Sequence, residues 1–566
     1  MTTTLADIPV QRGKCRAIRE EHRRWRQAPP RIRVWANRPD SGPGLILRGE
    51  VADHMAGRFR KTKNIAAPGM TRIRLDHYIA RWLISIPNDP EAKKNVVVTV
   101  DWMGGWQWSG ILKNWRLRSI DGVEYLEVTW IHDLQFLQFM LGPPNPALPI
   151  PIFQFPRVWP IFGPAKWAIS MLILLQLIRL NGNLYTLPDD PFNLESWDDL
   201  INWNDWQVLI KANPFDLDDS STWTLLATRM TRIDTAIEDA LDDAKLVLTC
   251  RRIITVDGEE CPIDGIDCAN GALVLEVVDP AQYWGADGTA TSGGIAAGFA
   301  RTAQQFLEGF VEDTKVVIDD DQSIHPGEYF QPGFYGTVGS RPWIVLRDSP
   351  WTQIKTADLV WSPATAVSVI VGGDNPLADQ LARLTIESVA ALIGYFLLGG
   401  FSGLGAIAAD IVMPFLVGTI FAWLQWENHS RGHQLGWVHL YEIFQQGAEN
   451  NAWSLAGFAA LRAGFLATDS ETAHQLTFGA GCPIMPGLHY DIGTPIGSTK
   501  ASVGDMLFVD QVEDMVLEWD WDQGKGYEWT TTVGTAKALM SQSERSARLL
   551  NKSLQTLANL GVHLIS

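Results

Sequence analysis

The chain has few cysteines, no excess of positive charge, no unbroken apolar run long enough to span a bilayer, and no short motif of a familiar catalytic site. Each shortage excludes something. Five cysteines among 566 residues (Cys15, Cys250, Cys261, Cys268 and Cys482) form no CxxC pair. Cys261 and Cys268 are too loosely spaced for a zinc knuckle, so the thiols read as reduced core or surface residues, not a disulfide framework. A formal net charge of −18 argues against a general nucleic-acid binder, which needs a basic face to neutralise phosphates. It is compatible with a channel through which DNA slides without sticking. The N-terminal residues carry no apolar h-region, so we expect no signal peptide and synthesis in a cytoplasm.

Catalytic signatures are equally scarce. The glycine-rich stretch 285–310 leads into a helical pattern but lacks the GK[ST] of a phosphate loop, and no GxGxxG follows a strand. There is no GxSxG. His429 and His433 stand four apart with His439 beyond, yet the general-base Glu of HExxH is missing and Gly432 interrupts. Asp319, Asp320 and Asp321 lack the spacing of a calcium loop. We therefore expect no catalytic residue, no cofactor and no metal, and a protein that is not an enzyme.

What remains is a large, strand-rich chain. Hydrophobic residues make up 46% and charged residues 19%, a globular balance at a length that calls for several domains. Tryptophan is abundant at 25 residues, a hint of an assembly component because indole suits half-wet interfaces. Residues 11–28 are basic and helical in pattern and stop at Pro29-Pro30. They read either as a solvated helix or as an arm that docks on an acidic neighbour. From 31 to 142 the pattern is mostly β, as in "RIRVWAN", "NVVVTVDW" and "EYLEVTWI", with 75–86 a helix or a buried strand. A proline-dense connector and a helical, Trp-rich part fill 143–244, including a core helix over 166–180. A second β-rich block spans 245–372. A helical region spans 373–466, more β 467–535, and a helix 536–566.

The apolar stretch 388–426 holds one charge, Asp410. "GGFSGLG" (399–405) should break it into two helices, the second running to Trp426. Val389–Leu398 gives ten apolar residues and Ile411–Trp426 sixteen uncharged ones, about 24 Å of helix against a ~30 Å hydrocarbon core. Neither is a good stable span. One reading is a buried hairpin packed against copies of itself around an oligomer axis. The other is an element stored while apolar and released into a membrane, as a fusion peptide is. Its candidate residues are Leu392, Phe396, Gly399, Gly400, Gly403, Gly405, Ile411, Phe415, Phe421 and Trp423. At the C-terminus, Ala536, Met540, Ser543, Ala547, Leu550, Leu554, Leu557 and Gly561 step by four and three, a heptad seam. It suits an amphipathic helix on its own subunit or a homotrimeric bundle. Met540, Ala547, Leu550, Leu554 and Leu557 are the candidate seam residues.

Several phrases together resemble the minor tail proteins of long-tailed actinobacterial phages, of the baseplate-hub or tail-tip kind. They are "VVVTVDWMGGWQWSGILKNWRL" (96–117), residues 128–169, "YTLPDDPFNLESW" (185–197), "VSVIVGGDNP" (367–376) and residues 453–496. Gln107 departs from the family pattern, which favours an Arg-type residue there. The resemblance implies an α+β, multi-domain hub. It would have two tube-like β-barrel domains (31–142 and 245–372), interleaved helices, the apolar hairpin and a C-terminal helix. It further implies a homotrimer at the virion tail tip. That trimer would contact the distal tail protein, the tape measure protein, other minor tail proteins and the host envelope, with DNA only in transit. Such a hub closes the tail tube and opens for DNA ejection, with the hairpin as plug or membrane-entering element. The alternative is a tail-borne peptidoglycan or glycan hydrolase, and a weaker one a freestanding membrane-perturbing protein. The chain runs only briefly past 535, which puts a C-terminal lysin domain in doubt.

Overall fold

The computed structural model describes residues 7–102, 105–120, 122–148, 159–182, 202–211, 221–280, 344–348, 354–372, 423–445, 471–479, 484–500 and 507–534, with isolated short pieces between them. Its largest feature is a fourteen-stranded sheet. From one edge to the other, eleven strands run 354–362, 471–479, 525–533, 507–520, 54–62, 68–74, 123–132, 107–120, 96–101, 31–37 and 45–50. Three short strands join off this path, two of them parallel to strands near the C-terminal end. Among the described residues the sheet is open, and no barrel closes. The fold is mostly β with a few helices.

The strands form where alternation and β-branched residues lead one to expect them. "RIRVWAN" is the strand Arg31–Asn37, and Val96–Asp101 is buried on both faces along most of its length. The ambiguous stretch 75–86 is a helix at Tyr78–Ser85; His77 caps it by accepting from the Ile79 N–H. Its buried face, Ile79, Ala80 and Leu83, packs into the core of the large sheet.

Long-range pairing joins the two ends of the chain. Strand Leu507–Asp520 lies antiparallel to His54–Thr62, with Trp519 opposite Gly57 and Leu517 opposite Phe59. The glycine is required there: a Cβ on Gly57 would sit 2.3 Å from the Trp519 indole. Gly69 likewise makes room for Trp108. Trp35, Trp106, Trp108, Trp130, Trp519 and Trp529 are fully buried. For these six, tryptophan abundance reflects core volume, a correction to the interface hint. Trp35, Trp108 and Trp130 place their N–H on Thr99 Oγ1 (2.9 Å), the Arg60 carbonyl (2.9 Å) and Thr71 Oγ1 (3.2 Å).

A charge seam runs beside this joint. Bases come from the N-terminal strands and acids from the C-terminal ones: Arg60 to Asp514 (2.8 Å), Lys61 to Asp491 (2.7 Å), Lys63 to Glu513 (3.2 Å), and Arg72 to Asp520 and Asp522 (3.4 and 3.3 Å). The pair on half-exposed Arg60 contributes little by itself; the uniform polarity of the pairs favours this strand pairing over others.

A second unit has its own core. Helix Ala165–Asn181 buries Ala168, Ile169, Leu172, Ile173 and Leu177. It packs with helix Ile233–Asp243 against a sheet ordered 208–211, 273–278, 247–252. The proline-dense connector ends in a strand, Trp159–Pro164, paired with Trp223–Thr228. A two-stranded ladder tolerates its prolines, which a central strand would not.

Two expectations are corrected here. The block 245–372 is divided: 247–278 belongs to the helix-containing unit, while 344–346 and 354–362 belong to the large sheet. Pairing partners distant in sequence decide this, and local pattern cannot show them. The stretch expected to be helical to Trp426 and on to 466 contains strands Trp423–Glu427 and Leu440–Phe444, with only a short helix, His429–Leu435, between them. Pairing with Ala366–Gly372 overrides the helix-like run, and Leu424 and Trp426 then fall on one face at period two.

Two buried polar links tie the second unit to the large sheet. Arg252 grips Asp133 with both arms (2.6 and 2.8 Å), and both side chains are buried. Gln107 accepts from the Arg252 N–H (2.9 Å) and donates to Asp101 (3.1 Å). Gln107 is thus a bridge between sheets.

Candidate assembly interface

The candidate contact region is a small three-stranded sheet ordered 423–427, 366–372, 440–444. Ala366–Gly372 is its centre, β-branched and buried at Val367, Val369 and Val371. Trp423–Glu427 pairs with it antiparallel and Leu440–Phe444 parallel. A compact core of Val369, Val371, Leu424, Leu461 and Phe465 sits beneath.

One buried cation pins this unit. Arg431, about 1% exposed, donates to the Ala366 carbonyl (3.2 Å), to Thr468 Oγ1 (2.9 Å) and to Asp469 (3.3 Å), and lies 5.4 Å over the Phe465 ring. Asn428 caps the short helix by accepting from the Arg431 N–H (3.0 Å). A guanidinium buried among carbonyls and one carboxylate is held only by such a full set of acceptors.

The register places the two ends of the segment that contains most of the apolar stretch side by side. Gly372 pairs directly with Trp423, so residues 373–422 leave and return at neighbouring positions of one ladder. Beside that ladder the surface is unusually greasy. Trp437 is 96% exposed, Val438 83%, Tyr441 78% and Leu440 65%, on or next to the edge strand 440–444. Soluble surfaces rarely gather so many exposed large apolar side chains along one edge.

Of the sequence-predicted residues, Trp423 alone has a described backbone position, at the first residue of a strand instead of within a helix. Leu392, Phe396, Gly399, Gly400, Gly403, Gly405, Ile411, Phe415 and Phe421 lie outside the described residues, as do Met540, Ala547, Leu550, Leu554 and Leu557. Asp319, Asp320 and Asp321 lie outside them too. His429 and His433 share the short helix, and His439 contacts the Gly436 carbonyl (2.9 Å). Among the described residues no three His, Cys, Asp or Glu side chains gather to hold a metal. No helix among them is long and apolar enough to cross a membrane.

Sequence reading missed Arg431 and the exposed edge. The run "GWVHLYEIF" (436–444), rich in aromatic and β-branched residues, was the available signal for a strand.

Buried titratable groups elsewhere serve packing. His132 accepts from the Leu134 N–H (3.4 Å) and lies 3.8 Å from Cys250 Sγ. Burial pushes His132 down to about 4 and the Cys250 thiol up to about 12, so neither titrates near neutrality. This thiol–imidazole pair is therefore unlike an activated nucleophile, which needs a depressed thiol pKa.

A wide sheet with a charge seam along its central joint, an inserted helical unit and an apolar edge beside a pinned ladder define a β-rich assembly protein. The model of a family described as Siphovirus ReqiPepy6 Gp37-like protein matches residues 31–535, and the chain belongs to this family of phage minor tail proteins. It is 30% identical to minor tail protein Gp28 of Mycobacterium phage L5, over 85% of this chain and 88% of that one. It is 29% identical to minor tail protein Gp28 of Mycobacterium phage D29 with the same coverage. Among solved structures, the tail protein from Neisseria meningitidis MC58 aligns over 90% of this chain and 97% of its own, at 10% identity and a TM-score of 0.37. The chain is a structural component of the phage tail.

Proposed function

We propose that this minor tail protein is the tail-tip hub: a homotrimer whose strand-rich units form two tube-like layers, continue the tail tube and close its end. The distal tail protein, the tape measure protein and other minor tail proteins are its neighbours, and the host envelope its target. The apolar stretch 388–426, most of which lies between the paired residues Gly372 and Trp423, forms the plug, or the element that enters the host membrane when the tip opens for DNA. One observation carries this reading. The stretch of chain that carries most of the apolar run leaves and returns on paired residues, Gly372 and Trp423, of a small sheet locked by Arg431 and edged with exposed aromatics. Such a base lets one segment move while the ladder stays put. Three copies around an axis would also give greasy segments shelter from water without a bilayer. The C-terminal heptads, from Met540 to Leu557, supply a threefold seam in the same scheme.

The test is a phage in which Gly399–Gly405 is replaced by a charged turn. Particles should assemble with normal tails and infect poorly. Normal infectivity would reduce the segment to packing.

A further inference from the structure

The N-terminal helix Asp7–Gln27 stands apart from every described core cluster. Each described side chain on it, residues 12–21 with 23 and 24, is exposed, including Cys15 and Ile18, the latter at 50%. Pro29-Pro30 separates it from the strand at Arg31 as a stiff, extended link that cannot continue the helix. A solitary helix of this length is marginal in water, and this one carries Gly13 within it. It needs an outside partner, and its own periodicity specifies one.

Ile8, Gln11, Cys15, Ile18, His22 and Trp25 step by three and four along the helix, which sets all six positions on one stripe. Gly13 falls on the opposite side, where a seam is indifferent to it, and Pro9 stands in the first turn, where a helix accepts it. Gln11 and His22 weaken such a seam but fix its register. The positions flanking the stripe carry Arg12, Arg19 and Arg26 on one side and Asp7, Lys14 and Glu21 on the other. In a parallel, in-register pair, each residue of the second flank meets the first-flank residue five positions on in the neighbour. Asp7 then meets Arg12 and Glu21 meets Arg26, while Lys14 meets Arg19, so two of the three contacts attract. An antiparallel pair would instead set the arginine flank against its own copy.

We propose that the N-terminal arms of neighbouring copies of this chain bundle in parallel along this stripe. Identical helices supply both the apolar positions and the acids that the arginines need, which explains why the arm finds no seat on its own subunit. This rests on the self-association that the hub reading requires and deepens it by naming a contact.

The test uses the full-length protein. Dioxygen with a copper catalyst should join Cys15 of one copy to Cys15 of the next, giving a disulfide dimer on a denaturing gel that Cys15→Ser abolishes. Ile8→Cys added to Cys15→Ser should restore a dimer, because parallel arms keep residue 8 beside residue 8. Ile18→Glu should remove the Cys15 dimer and speed amide exchange in peptides covering 7–27 by about tenfold or more, while Ile18→Leu keeps both as they are. Lys14→Glu turns the one repulsive contact into an attractive one and should slow that exchange by about threefold. An oligomer without the Cys15 dimer, or with arm exchange that ignores Ile18→Glu, overturns the arm bundle and leaves the hub reading standing. A chain that is monomeric at every concentration overturns both. In a threefold bundle only about two thirds of the chains can pair through Cys15; conversion of nearly all chains keeps the arm contact and overturns the threefold hub. A Cys15 dimer without the Ile8→Cys dimer overturns the parallel register. Slow arm exchange that requires an added DNA duplex, with no dimer, makes nucleic acid the occupant and overturns the proposal.

Discussion

Replacing Trp519 with alanine removes the indole that covers Gly57 at the joint between the N- and C-terminal strands. Trp519 is 2% exposed, with ring centres 4.8 Å from His54, 5.4 Å from Tyr527 and 5.9 Å from Phe59. Emptying such a site costs about 3–5 kcal/mol, from lost transfer free energy and the cavity left behind. Gly57→Ala perturbs the same contact from the other side, because its Cβ would stand 2.3 Å from the indole. Overpacking of that kind costs about 1–3 kcal/mol. The two changes should not add. With the indole gone, the alanine methyl has room, so the double variant should be at least about 1 kcal/mol more stable than the sum of the singles predicts. Local unfolding should be read by amide hydrogen exchange in peptides covering 54–62 and 507–520, since one global midpoint is ill-defined for a chain of several units. Additivity within about 0.5 kcal/mol would refute the contact as the element joining the two ends.

Three further outcomes follow from buried groups. Burial holds His132 down to about 4, below the ordinary 6.5 of a histidine, so the folded state stays neutral where the unfolded chain takes up a proton. Stability should be full above pH 6.5 and fall as pH drops toward 4, by up to about 1.4 kcal/mol per unit; His132→Gln should flatten that slope in acid melts. Asp510 is raised to about 6 from 3.8 by burial, so its ionised form opposes folding above that pH. Asp510→Asn should stabilise the protein at pH 8, by at most about 3 kcal/mol, and lose that advantage below pH 4. Arg252→Ala leaves Asp133 buried without its partner and should cost about 3–5 kcal/mol, whereas a joint apolar replacement of both should cost much less, as chemical denaturation of the two variants would report.

Local structure was legible where burial imposes a short period. Arg31–Asn37, Val96–Asp101 and the core helix at Ala165–Asn181 all follow from spacing of apolar residues. The departure at Gln107 was visible too, though its bridging role was not. Three kinds of feature left no local trace. The pairing of Arg60 with Asp514 spans 454 positions, and nothing near either residue announces the other. Trp423–Glu427 follows an apolar run with helical character, and only its partner strand makes it extended. Arg431 is a lone cation in a polar stretch; its burial depends on acceptors from Ala366 and Thr468 that the fold delivers. The family, by contrast, was legible because its phrases recur in order over most of the chain.

Apolar segments that shelter where copies converge require self-association, so the mass of the purified full-length chain in solution is the most direct test of the hub. Light scattering should return about three times the 62.9 kDa of one chain, and the value should persist on dilution. A mass of one chain across the whole concentration range would contradict the hub.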